Sequence, residues 1–160
     1  MTLDANARMA NVKRSLDKYC NDNLYSTEGL NVSFEGLPFE NVAYTEWVQP
    51  RILDITTQYH RQGSSTQYGE TASVLFQINI FTKKSGVTIA DRHYMIRDIV
   101  ADYFKIGKDI SIANYVSGTT ALDNLRIREV VTDSPLPETS TMYQYVLAWN
   151  MNYSRLTAEP

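Results

Sequence analysis

The sequence predicts an α+β domain, with two helices packed on one face of a largely antiparallel, mixed sheet. Three observations lead there. Two stretches, Leu3 to Tyr25 and Thr88 to Phe104, carry apolar residues at three-to-four spacing, the signature of helices with one buried stripe. A long pair, Trp47 to His60 and Thr71 to Phe81, alternates with the period of two that a half-buried strand requires. The third is length: 160 residues suffice for one core and would leave two cores poor in buried surface. Residues 1–160 are therefore expected to form a single domain, with 1–7 and 154–160 as flexible ends.

In the first helix Met9, Val12, Leu16, either Tyr19 or Cys20, and Leu24 form the stripe, and Arg8, Asn11, Lys13, Arg14, Lys18 and Asn21 take the other side. Thr27-Glu28-Gly29 closes it, Gly29 being free to adopt a positive φ. Leu30 to Glu35 alternates as a short strand, and Gly36 to Val42 reads as an irregular connection, stiffened by Pro38 and anchored by Leu37 and Phe39. The next strand contains Pro50, which cannot donate to a ladder, so it lies at a sheet edge or carries a bulge. Arg61 to Glu70 holds two glycines and mostly hydroxyl or amide residues, and reads as a solvated hairpin tip. In the return strand Val74, Phe76, Ile78 and Ile80 form a fully apolar face.

Lys83 to Gly86 is a turn, and Thr88 with Asp91 resembles a helix-capping pair. In the second helix Ile89, His93, Ile96, Ile99, Val100, Tyr103 and Phe104 line one face, and Gly107 falls where an αL cap belongs. Ile110 to Val116 and Leu122 to Val131 read as strands, the second with Leu125 and Ile127 inward and Arg126 and Arg128 outward. Thr132 to Ser140 is polar and proline-bearing, and reads as a loop. The last strand, Met142 to Tyr153, is apolar on both faces and so belongs in the centre of the sheet.

Composition excludes several roles. A net charge of −3 is unlike that of a protein devoted to neutralising a phosphate backbone. No apolar run reaches bilayer-spanning length, and Met1 to Asn6 lacks a secretory apolar core, so a soluble chain with no membrane partner is expected. Cys20 has no second cysteine to pair with and reads as a small buried apolar residue. Tyrosine is abundant, 11 residues, a type that serves both interfaces and core edges.

No catalytic constellation stands out. Gly63 and Gly69 are too far apart for a phosphate-binding loop. His60 and His93 lack acidic or thiol partners at metal-ligand spacing. Asp98 and Asp102 have the spacing of an acid–base pair, but with Arg97 and Lys105 they read more simply as the solvated side of a helix. Lys83, Lys84, Arg126 and Arg128 form a basic strip only if their elements are neighbours, and that arrangement defines the alternative reading, a monomeric nucleic-acid-binding module. No enzyme activity, cofactor or metal is expected.

The order of elements, with Phe34-Glu35-Gly36-Leu37-Pro38-Phe39-Glu40-Asn41-Val42, the strand opening on Trp47-Val48, the hairpin tip ending near Gly69 and the helix after Gly86, resembles the tail terminator proteins of long-tailed bacteriophages. The likeness covers roughly Val12 to Asn152, rests on order and spacing, and departs from the family pattern in a longer segment from Lys105 to Thr120. It implies a hexameric ring that caps the head-proximal end of the tail tube, stops its polymerisation and joins it to the neck. The partners it implies are further copies of the chain, the tail tube protein and a neck or head-completion protein, with the virion as the location. DNA would pass through the ring without specific recognition. Another neck or minor tail ring protein shares this architecture. A ring built from one repeated heterologous contact needs two different patches per subunit. The candidate contact residues are Arg51 on the expected edge strand, Arg61, Gln62, Ser64, Tyr68 and Glu70 in the hairpin tip, and Asp133, Pro135 and Glu138 in the expected 132–140 loop.

Overall fold

The period-two stretch that dominates the sequence forms β2 (Gln67–Lys83), in which Ala72, Val74, Phe76, Ile78, Ile80 and Thr82 are buried and the alternate residues are half-exposed. The computed structural model describes residues 9–61, 67–86, 90–115, 118 and 120–158. Around β2 stand α1 (Met9–Cys20), β1 (Glu46–Arg61), α2 (Arg92–Tyr103), β3 (Asp109–Ala113), β4 (Ala121–Pro135) and β5 (Met142–Ala158). The five strands form one sheet in the order β1-β2-β5-β4-β3, with every neighbouring pair antiparallel. The fold is α+β, as the sequence predicts. The chain leaves β2, crosses the sheet through α2, and returns by two hairpins that insert β5 at the centre. Its central place accounts for burial on both faces: Leu147, Trp149 and Met151 on one, Val146 and Ala148 on the other.

Both helices cover the same face. Phe104, just past α2, stacks on Trp149 at 4.7 Å and on Phe76 at 5.7 Å, two residues paired across β2 and β5. Tyr19 of α1 meets Phe104 edge-on at 5.4 Å, which joins the two helices over the sheet. Val12, Leu16, Cys20 and Leu24 of the first stripe are all buried in this core. Cys20 is fully buried, and burial pushes its thiol pKa well above the ordinary range. The native protein is therefore expected to resist thiol reagents until it unfolds; rapid labelling of native protein would contradict this placement.

Several elements depart from the sequence reading, each for a visible reason. The first helix stops being regular at Cys20 and continues as a wider π-helical turn over Asn21–Thr27, with Gly29 at φ 71° closing it. Asn11, assigned to solvent, is buried with Ser15 because both finish the end of β3. The backbone N–H of Tyr115 donates to Asn11 Oδ1 and that of Ala113 to Ser15 Oγ, both at 3.1 Å. Thr88 and Ile89 lie outside the described residues, and Asp91 precedes α2 without a side-chain cap. Val116 also lies outside them, and β3 ends at Ala113. The expected 132–140 loop is half strand: β4 runs to Pro135, extended by register shifts between Ile127 and Glu129 and between Val130 and Thr132. The expected tail is strand as far as Ala158, paired with β2 back to Gln67. Gly107 takes φ 85° after α2, as expected.

The short strand expected at 30–35 is reduced to one parallel bridge, Val32 to Val48. The Val48 N–H donates to Asn31 O at 2.9 Å, and the Ser33 N–H to Val48 O at 2.8 Å. A parallel ladder would next take an N–H from the residue two further along β1. That residue is Pro50, which has none, so the ladder ends.

Candidate functional site

Pro50 also explains Arg51, the cation proposed for a subunit contact. In the place of the missing N–H, Arg51 Nη1 donates to Ser33 O at 3.0 Å and to Pro50 O at 2.7 Å. The side chain fastens the 30–35 segment to the outer side of β1. The edge position and the bulge expected from Pro50 are both present: β1 is the outermost strand, and its register shifts between Ile52 and Asp54.

The tip candidates divide. Gln62 and Ser64 lie outside the described residues. Arg61 and Tyr68 are not in a loop: they end β1 and begin β2, paired across the hairpin, so the ladder reaches further toward the tip than the sequence suggested. Glu70 is a strand residue, 3% exposed, with its backbone opposite Arg155 of β5, where the sequence reading had an open tip. The glycine at 69, taken as a turn signal, lies in the strand.

Asp133 and Pro135 belong to β4, where the sequence reading had a loop. Asp133 is held by the Arg97 guanidinium of α2 and by the Tyr145 hydroxyl, which donates at 2.6 Å. Arg97 holds the Asp133 carboxyl below its ordinary pKa. Glu138 does lie beyond the strand, and pairs with Lys84 at 2.8 Å. Lys84 in turn sits over the Tyr143 ring at 5.0 Å. The Arg97–Asp133 pair spans 36 positions, and nothing local in the sequence announces it.

Register along β5 fixes where these groups stand. Pro135 pairs with Tyr145 near one end of β5, and Tyr68 faces Thr157 near the other. Twelve residues at about 3.3 Å each separate them by roughly 40 Å. The two candidate groups are thus opposite poles of the sheet. At the Tyr145 pole gather the residues preceding β1, the 84–86 turn, the start of α2 and the chain after Pro135. There Glu46 receives two hydrogen bonds from Arg92, both 2.8 Å, and Lys83 Nζ donates to Asn41 O at 2.6 Å.

The same register separates the four cations of the nucleic-acid alternative. Lys83 pairs with Met142, and Arg126 with Asn152, ten residues along β5 or roughly 33 Å. Each cation also has a partner within the chain: Asn41 and Val42 carbonyls, Glu138, Asp109 and Asn152 respectively. They do not form a strip. Asp98 and Asp102 are exposed, paired with Arg97 and Lys105. No group of three or more His, Cys, Asp and Glu able to hold a metal occurs among the described residues, and none of their helices is long and apolar enough to cross a membrane.

His93 is packed as a core-edge residue. Its ring stacks on Tyr143 at 4.9 Å, 4° from parallel, and Nδ1 has no hydrogen-bond partner among the described residues. Burial lowers its pKa below the ordinary 6.5. Folding therefore favours the neutral ring: the unfolded chain binds the proton more readily, so this contribution is complete above pH 6.5 and fades as pH falls. Wild-type protein is expected to lose more Tm between pH 7.5 and 5.5 than a His93→Gln variant. Parallel losses would contradict it.

No family model and no curated protein matches this chain. Several solved structures match; one of them is similar over 96% of this chain and 97% of its own, with a TM-score of 0.61 and 12% identity. At that identity the likeness shows the fold alone: this chain is similar to it, end to end, as a single α+β architecture.

Proposed function

We propose that this protein is a structural ring subunit of a phage tail, capping the head-proximal end of the tail tube and offering the opposite surface to the neck. The observation that supports it best is the separation of the candidate contact groups to the two poles of one sheet, roughly 40 Å apart along β5. A subunit that stands between two different partners needs two such ends. Its partners would be other copies of itself, the tail tube protein and a neck or head-completion protein. Another neck or minor tail ring is the nearest alternative within this reading.

Addition of the purified protein to polymerising tail tube subunits tests it. Elongation is expected to stop, with the protein co-sedimenting at roughly one ring per tube. Tubes that grow to the same length with and without it, leaving the protein in the supernatant, would remove the proposal.

A further inference from the structure

Two side-chain polar atoms are buried without a hydrogen-bond partner among the described residues, Thr82 Oγ1 and His93 Nδ1. Both residues adjoin Tyr143. Thr82 faces Tyr143 across the β2–β5 ladder, and the His93 ring lies nearly parallel to the Tyr143 ring at 4.9 Å. Tyr94 packs on His93 from its own helix at 4.6 Å, and only 6% of His93 is exposed. A neutral imidazole tolerates such a place, because one of its nitrogens carries no proton. The charged ring needs an acceptor at both nitrogens, and Nδ1 meets none among the described residues.

The charges around the ring do not supply one. Asp91 and Glu138 favour a proton on His93, yet neither reaches Nδ1 with a hydrogen bond. Asp91 is exposed at the start of α2, and Glu138 is paired with Lys84. Lys84 already lies 5.0 Å from the Tyr143 ring, so a charged His93 would be a second cation against that ring. On the same helix Arg92 and Arg97 are occupied by Glu46 and Asp133. A proton on His93 is therefore accommodated by movement. Tyr143 is fixed in the ladder with β2, whereas the first turn of α2 is held to the sheet by side chains, the Arg92–Glu46 bonds and the His93 stack among them.

We propose that His93 is an acid-sensitive latch: its protonation lifts the first turn of α2, residues 92–95, from the sheet and lets the ring reach water. The turn carries Tyr94 and Met95, 43% and 44% exposed, at the Tyr145 pole, so acid remodels that end of the protein while the sheet stays paired. The inference is independent of the ring reading and concerns the isolated chain. In the lifted turn the ring recovers its ordinary pKa of 6.5, and in the closed turn burial holds it lower. Opening takes up a proton and grows easier as pH falls through 6.5, with a ceiling of about tenfold between pH 7.5 and 5.5.

Amide exchange of the full chain at pH 7.5 and 5.5, corrected for the intrinsic effect of pH on exchange, tests it. The amides of Tyr94 to Arg97 are expected to exchange at least about tenfold faster than those of Phe76 to Ile80 in β2, which marks a local opening. On acidification they are expected to lose protection by about three- to tenfold. His93→Phe keeps a ring against Tyr143 but has no nitrogen to titrate, and its turn is expected to be equally protected at both pH values; His93→Gln repeats the comparison without the ring. His60, the other histidine, pairs with Gly69 in the hairpin and is unchanged in both variants. Equal protection of the wild-type turn at the two pH values, an acid loss that persists in both variants, or a turn that exchanges only together with β2 would each overturn the inference.

Discussion

Replacing Trp149 with alanine is expected to destabilise the protein by about 3–5 kcal/mol, the largest effect of any single substitution considered. Trp149 lies in the central strand, is 1% exposed, and stacks on Phe104 and Phe76 at 4.7 and 6.4 Å. Its removal leaves a void where α2, β2 and β5 meet. That junction cannot close easily, because the backbone around it is held in the ladder on both sides. Urea unfolding measures the loss as a lower midpoint with an unchanged slope. A cost below about 1 kcal/mol would mean that the aromatic stack is not the centre of the core.

Arg51→Ala is expected to cost about 1.5–3 kcal/mol, a large effect for a side chain that is half-exposed. It removes the donor that replaces the missing Pro50 N–H, and leaves the carbonyl of Ser33, a residue 7% exposed, without that partner. A proline gap filled by an arginine makes a further prediction through a double-mutant cycle. Pro50→Ala restores an N–H facing Ser33 O, so Arg51→Ala should cost less in that background, by about 0.5–2 kcal/mol. Additive effects would show that Arg51 acts independently of the gap. For function the lesson is that Arg51 first organises its own chain, and any part in a neighbour's contact comes through the 30–35 segment it holds.

Much of the architecture was legible because it was written in short-range pattern. The alternation of Val74, Phe76, Ile78 and Ile80 gave the buried face of β2, and apolar residues on both faces of 142–153 gave β5 its central place. Pro50 gave the edge, and Gly29 and Gly107 gave the positive φ angles after the helices. What stayed hidden depends on partners distant in the chain. Asn11 reads as a solvent residue on a helical wheel, and only the arrival of β3 about 100 positions later makes it a buried acceptor for Tyr115. Polar composition made 132–140 look like a loop, but pairing with β5 overrides it as far as Pro135. Arg97 and Asp133 meet because α2 lies across the sheet, which no window of sequence contains. The candidate contact residues suffered most from this. Arg51, Asp133 and Glu138 have partners within the chain, and Glu70 is buried.

The measurement that bears most directly on the central claim is electron microscopy of tail tubes incubated with tagged protein, with the tag marked by gold. The account predicts label at one end of each tube and none along its length, and no further growth at the labelled end when tube subunits are added. Label scattered along the tubes, at both ends equally, or absent at saturating protein would contradict it.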